Sequence, residues 1–261
     1  MGQYERRNGL KSSASGGLVY VARVISRVEA QAFDRVAADY DRLGDLDRRD
    51  WMQQWLASVL PDSGRRALDL GCGPGRQAVA LAERFWHVDA IDLSGAMIEL
   101  ARTRRPRPNI SYRQADLHEL DDAGGYDFIL SVLTLHHVPD LHAALCRVKD
   151  LLAPGGRAAL LDIYPARPRA LPRWQLQANE VRLLGLNLFR RGPAAAWEIY
   201  RLANGAWLDH RVSDRFFSRA TLERSCGELF PGSQMQRVGG RRGVAVIWDA
   251  PLPPAGSGKT C

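Results

Sequence analysis

Residues 67–76 read ALDLGCGPGR, in which an apolar run carries Asp69 and is followed by glycine at three alternate positions. Because glycine has no Cβ and accepts positive φ, Gly71, Gly73 and Gly75 allow a ligand to approach the backbone closely. A carboxylate beside such a loop repels a pyrophosphate and suits a ligand that carries an ammonium or sulfonium group. The chemistry predicted here is the binding of a zwitterionic molecule.

A second carboxylate, Asp92, ends the apolar run VDAID at the distance expected of a ribose-binding residue. That distance first indicates a nicotinamide cofactor, but the dinucleotide fingerprint G-x-G-x-x-G requires a glycine at position 76, where this chain has Arg76. The observed spacing D-x-G-x-G-x-G therefore disfavours an NAD-dependent oxidoreductase. Two such carboxylates flanking a glycine loop favour ligand binding over helix capping, which is their alternative role.

The elements that position these residues alternate along the chain from Arg65 onward, with short β-rich apolar runs separated by helical patterns. This alternation predicts βαβ units and an α/β, doubly wound (Rossmann-like), mostly parallel sheet. Ser218 is predicted to cap a helix that runs to Leu229, and QMQRV-GGRR-GVAVIW is predicted to close the sheet as an antiparallel hairpin. Ligands of such sheets bind outside the carboxyl ends of the strands.

The segments of the chain differ in composition. Residues 1–17 are polar and basic and are predicted to be disordered, as is the Pro/Gly-rich tail 251–261. Residues 18–60 are predicted to form N-terminal helices over the ligand site, and residues 61–250 the main domain. A long, Trp-rich stretch at 164–217 interrupts the alternation and is predicted to be a helical lid.

Composition excludes several classes of protein. The 261 residues are 46% hydrophobic and contain no apolar run long enough to span a membrane. The net charge of +7 comes mainly from arginine, and the basic run Arg102–Arg107 has no interleaved aromatic residues, which predicts a solvated loop and no nucleic-acid site. The four cysteines show no C-x-x-C pair, so neither a disulfide framework nor a metal site is expected, and a cytoplasmic location fits.

Five motifs occur in a consistent order, and with them the chain resembles the class I S-adenosylmethionine-dependent methyltransferases, in particular small-molecule methylases of type 11/25. The resemblance runs from about Asp39 to Ile163 and implies a seven-stranded sheet with S-adenosyl-L-methionine as cofactor. Its motifs are ALDLGCGPGR, VDAIDLSGAMIELAR, QADL, YDFILSVLTLHHV and LLAPGG.

The resemblance also implies a role for individual residues. Asp92 accepts hydrogen bonds from the ribose hydroxyls, Asp116 accepts one from the adenine amino group, and Tyr40 of AADYD closes over the cofactor. The other implied cofactor contacts are Asp69, Gly71, Cys72, Gly73, Leu93, Met97, Leu117, Ser131 and Val132. Structural roles in capping, turns or the core are the alternative for Asp69, Asp92, Asp116, Tyr40 and Met97.

Methyl transfer from a sulfonium is an in-line displacement with a neutral leaving group, so alignment and exclusion of water do most of the work and a base is optional. If the acceptor loses a proton, a neutral histidine can take it. The candidates are His136 and His137 after the fourth strand and His210 at the end of the insert. A structural role is the alternative for each.

The insert is expected to determine the methyl acceptor, because loops after the carboxyl ends of strands cover the site. Its aromatic residues are expected mainly to pack the lid onto the sheet, with one or two facing a planar acceptor: Trp174, Phe189, Trp197, Tyr200 and Trp207. Leu176, Val181, Leu184 and Leu188 have approximate helical spacing.

The predicted function is therefore methylation of an O, N or C nucleophile on a small-molecule acceptor. An aromatic or polycyclic metabolite of secondary metabolism, such as antibiotic biosynthesis, is the leading hypothesis, and quinone-biosynthesis C-methylation is an alternative. A non-catalytic cofactor-binding or assembly protein stays open, as does a homo-oligomer formed through the N-terminal helix. A nucleic-acid amino-methylase is disfavoured because Ser131–Thr134 read SVLT and not N/D-P-P-Y/F.

Overall fold

The computed structural model describes residues 31–46, 50–121, 125–164, 171–213, 216–239 and 243–252. Seven strands form one sheet in the order β3-β2-β1-β4-β5-β7-β6. They are β1 Gly64–Leu70, β2 Phe85–Asp92, β3 Ile110–Gln114, β4 Tyr126–Val132, β5 Leu152–Asp162, β6 Gln234–Val238 and β7 Gly243–Asp249. The strands pair in parallel except at β7, which is antiparallel to β5 and β6. The predicted doubly wound sheet with its antiparallel C-terminal hairpin is confirmed.

Helices cover both faces of this sheet. Residues 31–46 belong to α1, and the others are α2 Asp50–Val59, α3 Arg76–Ala82, α4 Gly95–Arg104, α5 Leu141–Leu151, α6 Arg173–Arg191, α7 Pro193–Ala203, α8 Ala206–Ser213 and α9 Arg219–Leu229. Single 3₁₀ turns lie at Leu117–Glu119 and Leu135–His137. The side chain of Ser218 accepts a hydrogen bond from the amide of Thr221 and caps α9, as predicted. None of the described helices combines the length and apolar character that a membrane crossing requires.

The core consists of two apolar layers, one on each side of the sheet. Leu68 and Ile129 pack with α5 and α9 on one side, whereas Ala67, Phe128 and Leu130 pack with α2, α3 and α4 on the other. Burial on both faces explains why these strands are continuous apolar runs and not alternating ones.

The strand order reverses at β1, which pairs with β2 on one side and β4 on the other. The connections from β1 and β4 diverge there and leave a crevice at the carboxyl ends of the strands. The glycine loop after β1, the end of β2 and the end of β4 therefore meet at one edge.

Some predicted segments lie outside the described residues. These are residues 1–17, the first part of the N-terminal helical pattern at 18–30, most of the hairpin turn at 240–242 and residues 253–261 of the tail.

Candidate functional site

A cavity lies in this crevice, between the glycine loop, the ends of β2 and β4, and α1. Of the residues predicted to form the site, those lining it are Tyr40, Gly71, Gly73, Asp92, Leu93, Met97, Asp116, Leu117, Val132 and His137. Five other predicted residues do not line it, namely Asp69, Cys72, Ser131, His136 and His210. Lining residues that the sequence did not single out include Phe33, Leu133 and Thr134.

The glycine loop connects β1 to α3 in left-handed backbone conformation, with φ of 69° at Gly71 and 51° at Gly73. A Cβ on Gly71 would lie 2.2 Å from the side chain of Thr134, so only glycine lets the turn after β4 approach the loop. At Gly73 the nearest atom to such a Cβ is 3.9 Å away, on the Tyr40 ring. Gly73 therefore leaves space in the cavity wall between its own backbone and the Tyr40 ring.

Asp92 holds the loop in place. Its Oδ2 accepts a hydrogen bond from the Gly73 amide at 2.8 Å, and its Oδ1 accepts one from the Ser94 amide at 2.9 Å. Burial raises the pKa of Asp92, and the two amides partly oppose that rise. Since a carboxylate oxygen can accept more than one hydrogen bond, Asp92 retains capacity for donors in the cavity.

Asp69 lies behind the loop and is 1% exposed. Burial raises the pKa of Asp69 to about 7, and the negative charge of Asp92 adds to the rise. A hydrogen bond from the Ala78 amide lowers the pKa and opposes these two effects in part. Its Oδ2 is buried and accepts no hydrogen bond from the described residues. The neighbouring Cys72 thiol is also buried, and burial raises its pKa well above the ordinary value, with Asp69 and Asp92 adding to the rise. Both residues therefore underlie the site and do not line it.

At the far end of the cavity, Asp116 has two roles. Its Oδ1 accepts a hydrogen bond from the His118 amide at 2.9 Å and caps the 3₁₀ turn that carries Leu117. It also lines the cavity, so the residue that caps the turn is at the same time open to the cavity. Met97 is buried beneath this end, while Leu93 is 36% exposed at the rim.

The three candidate histidines lie next to one another. The His136 and His137 ring centroids are 3.8 Å apart, and those of His137 and His210 are 5.4 Å apart. Buried His136 contacts Asp162 through Nδ1 at 2.7 Å, and its amide donates to the same carboxylate at 2.9 Å. Of these three histidines, only His137 lines the cavity, and Phe33 contacts its ring edge-to-face. His137 is thus the one of the three placed to meet a bound molecule.

Helix α1 forms the roof of the cavity and is held by a buried ion cluster. The Asp41 side chain is fully buried and pairs with Arg76 at 2.6 Å, with Arg105 at 2.8 Å and with Arg104. Burial alone would raise the pKa of Asp41, but the hydrogen bond from Arg105 and the charges of these arginines bring it below the ordinary value. The prediction that Arg102–Arg107 form a solvated loop is therefore wrong in its first part, because Arg102 and Arg104 lie in the last turn of α4 and Asp41 draws Arg104 and Arg105 onto α1.

Asp34 ties the same helix to the start of α4. The Ser94 hydroxyl donates to its Oδ1 at 2.6 Å, and the Ala96 amide donates to the same oxygen at 3.1 Å. Sequence reasoning missed both Asp34 and Asp41, although the acidic spacing of AFDRVAADYD was a usable signal opposite the arginine run.

The insert 164–217 contains α6, α7 and α8. Its apolar positions do not all face inward: Leu176 is buried, but Val181 and Leu188 are exposed, because α6 has apolar residues on two sides and packs through one. The expectation that the aromatic residues mainly pack the lid onto the sheet is also wrong for Trp174, Phe189 and Trp197, which are exposed. Trp207 does face inward, 5.0 Å from the Tyr40 ring and 5.0 Å from the His210 ring.

Residues 67–156 match the family model described as a methyltransferase domain. An uncharacterized methyltransferase of Mycobacterium tuberculosis is 36% identical over 206 residues, which cover 76% of this chain and 93% of that protein. The 2-phytyl-1,4-naphtoquinone methyltransferase of Nostoc punctiforme is 32% identical over 160 residues, 56% of this chain and 70% of that protein.

Among solved structures, an S-adenosylmethionine-dependent methyltransferase from Mesorhizobium loti superposes with a TM-score of 0.53 at 21% identity, covering 78% of this chain and 99% of that one. The N-methyltransferase NodS of Bradyrhizobium japonicum, in complex with S-adenosylhomocysteine, gives a TM-score of 0.56 at 18% identity, with 85% and 98% coverage. At these identities the likeness shows a shared fold.

Proposed function

The chain belongs to the class I S-adenosylmethionine-dependent methyltransferases, and from this we propose that the cavity between Asp92 and His137 holds the cofactor and presents its methyl group to a small-molecule acceptor. The observation that carries this assignment is that one cavity is lined by the glycine loop and Asp92 and also by His137. Cofactor-binding and proton-accepting groups thus share one space.

The residues present fit this cofactor. Gly73 leaves backbone open to the cavity, Gly71 lets Thr134 pack against the loop, and Asp92 has acceptor capacity for ribose hydroxyls. When ionised, the buried Asp69 carboxylate would place negative charge behind the loop, which suits the cationic end of a zwitterion. Tyr40, Leu93, Met97, Asp116, Leu117 and Val132 would complete the cofactor contacts.

Bound there, S-adenosylmethionine supplies an electrophilic methyl group and leaves as a neutral thioether. The residues of this chain do the rest. Tyr40 and α1 cover the cavity and exclude water, and the paired Asp162 and His136 hold the turn on which His137 sits. When the acceptor gives up a proton as its new bond to the methyl carbon forms, the His137 imidazole accepts that proton.

We infer an aromatic or polycyclic acceptor of secondary metabolism. The rings of Phe33 and His137 line the cavity and offer flat surfaces to a planar molecule, and buried His210 packs against both of them. A quinone precursor methylated at carbon is the second candidate, since the Nostoc punctiforme relative and the demethylmenaquinone methyltransferase of Tropheryma whipplei, 31% identical over 170 residues, carry such names.

The experiment that tests the acceptor is a transfer assay with isotopically labelled S-adenosylmethionine against matched sets of hydroxylated polycycles, naphthoquinols and aliphatic amines. Mass spectrometry locates the methyl group on oxygen, nitrogen or carbon. Turnover confined to the aliphatic amines would contradict an aromatic acceptor, and turnover of naphthoquinols alone would favour the second candidate.

His137→Ala is expected to lower kcat by about a hundredfold or more while cofactor affinity changes little, because a positioned base contributes at least that factor. His142→Ala is the matched control, since His142 lies on α5 and is half exposed beside Glu228. Steady-state kinetics and calorimetric titration separate the two effects. Equal kcat in both variants would show that no base acts at this position.

Cofactor affinity is expected to rise roughly tenfold from about pH 6 to about pH 8, because a cationic ligand favours ionised Asp69, whose pKa is raised to about 7. The groups facing it are Asp92, Cys72 and Tyr112. In the unliganded protein, ionisation of Asp69 has the opposite effect, this time on the free energy of unfolding. Because the pKa of this carboxyl is raised on folding, stability falls as pH rises from the unfolded pKa towards 7.

Titration calorimetry at several pH values measures the effect on affinity. Asp69→Asn removes the ionisation and should flatten the profile, whereas Asp140→Asn, at the N-cap of α5, should leave it unchanged. A profile that keeps its slope in Asp69→Asn would assign the pH dependence to another group.

A further inference from the structure

Exposed apolar side chains are concentrated on one part of the lid. Of the eleven large hydrophobic residues that are exposed among the described residues, seven lie between positions 171 and 197. Four of them form what we call the α6 seam, namely Trp174 (65% exposed), Val181 (57%), Leu188 (46%) and Phe189 (94%). Apolar exposure on this scale in one place marks an interaction surface.

The residues of the α6 seam follow one side of the helix. Trp174, Val181 and Leu188 recur every seven residues, which is close to two helical turns, and Phe189 follows directly. Across the helix, Glu180 is buried and accepts a hydrogen bond from Arg211 of α8 at 2.6 Å, and Arg173 pairs with Asp209 of the same helix. These contacts fix the orientation of α6, so the seam faces away from α8.

The exposed charged residues of α6 itself have one sign. Helix α6 carries Arg173, Arg182, Arg190 and Arg191, and its only acidic residue is the buried Glu180. A helix with tryptophan and phenylalanine on an apolar stripe, flanked by arginine, has the character of a segment that lies in the interface of an anionic membrane. A two-fold contact between copies through this face would instead bring Arg182 and Arg190 of both copies together without acidic partners.

We propose that the α6 seam docks this protein on the surface of an anionic lipid bilayer, with Trp174, Val181, Leu188 and Phe189 at the level of the headgroups and acyl boundary and Arg182 and Arg190 beside lipid phosphates. None of the described helices crosses the bilayer in this arrangement. Docking of this kind is independent of which acceptor the enzyme methylates.

The test is co-sedimentation of the full-length protein with vesicles of equal parts phosphatidylcholine and phosphatidylglycerol, and with vesicles of phosphatidylcholine alone. The wild type is expected to bind the anionic vesicles more tightly and to be released by salt. The double variant Trp174→Ala/Phe189→Ala is expected to bind roughly tenfold more weakly, because two interfacial aromatic anchors are lost. Trp86→Ala is the matched control, since Trp86 is 78% exposed on β2 and should leave vesicle binding unchanged.

Charge variants give a second readout. Arg182→Glu/Arg190→Glu should weaken binding to anionic vesicles, whereas Arg224→Glu on α9 should have a smaller effect. Absence of wild-type binding to either vesicle overturns the proposal, and so does equal loss in seam and control variants. A wild type that is dimeric by light scattering and becomes monomeric in Trp174→Ala/Phe189→Ala also overturns it, because the seam is then a self-association surface.

Discussion

Asp41→Ala is expected to lower the free energy of unfolding by about 3 kcal/mol, because removing one partner of a buried ion cluster leaves charge uncompensated. The fully buried Asp41 carboxylate meets Arg76, Arg104 and Arg105, which belong to α3 and to the end of α4. With it lost, α1 is held less firmly over the cavity, so cofactor affinity and kcat should fall as well. Urea denaturation and calorimetric titration measure the two effects.

The control for this variant breaks an exposed ion pair between the same helix, α1, and α7. Glu198→Ala breaks the exposed pair of α7 with Arg42 of α1 and should change stability little, since exposed pairs contribute little. Hydrogen exchange in residues 31–46 should increase in Asp41→Ala and not in Glu198→Ala. Identical exchange in the two variants would refute the role given to the Asp41 cluster.

Acid should have the same effect as the substitution. Because the pKa of Asp41 is lowered in the folded protein, its contribution is present above the unfolded value of about 4 and is lost as pH falls through the folded value. The stability difference between wild type and Asp41→Asn should therefore shrink under strongly acidic conditions.

Asp92→Ala is expected to weaken S-adenosylmethionine binding by roughly 30-fold to 1000-fold, equivalent to about 2–4 kcal/mol. The change removes a carboxylate that would accept the ribose hydroxyls and also the acceptor that holds the Gly73 and Ser94 amides. The loop and the ligand contact are therefore lost together. Titration calorimetry gives the affinity directly.

Asp127 provides the matched control for Asp92, at another place in the same sheet. Its Oδ2 also accepts two backbone hydrogen bonds, from the Arg65 amide at 2.7 Å and the Arg66 amide at 3.0 Å, but at the amino ends of the strands. Asp127→Ala should cost stability and leave cofactor affinity unchanged. Unchanged affinity in Asp92→Ala would contradict the ribose assignment.

Much of the architecture could be predicted because its signals are local. The alternation of strand and helix patterns depends on nearest neighbours in sequence, and it predicted the doubly wound sheet and its C-terminal hairpin. The cap at Ser218 is likewise a contact three residues along the chain. The glycine spacing after β1 predicted a left-handed loop open to a ligand, and Gly71 and Gly73 adopt that conformation.

Contacts between distant segments could not be predicted in this way. Asp41 and Arg105 are 64 residues apart in sequence. The local patterns therefore assigned Asp41 to a helix and Arg105 to a solvated basic loop, with nothing to link the two. The same limit applies to the histidines. His136, His137 and His210 are the same residue type, and only packing decided that His137 faces the cavity while His136 turns to Asp162.

The amino-acid sequence was enough to predict the order of strands and helices, the glycine loop and the carboxylates at the strand ends, because periodicity and backbone permissiveness are properties of short segments. Only the folded structure showed how Asp41 and the arginines hold α1 over the cavity, which face of α6 is exposed and which of the three candidate histidines lines the cavity. These outcomes depend on how elements far apart in the chain pair their charges and bury their apolar surface, and such pairing is specified only when the whole chain is folded.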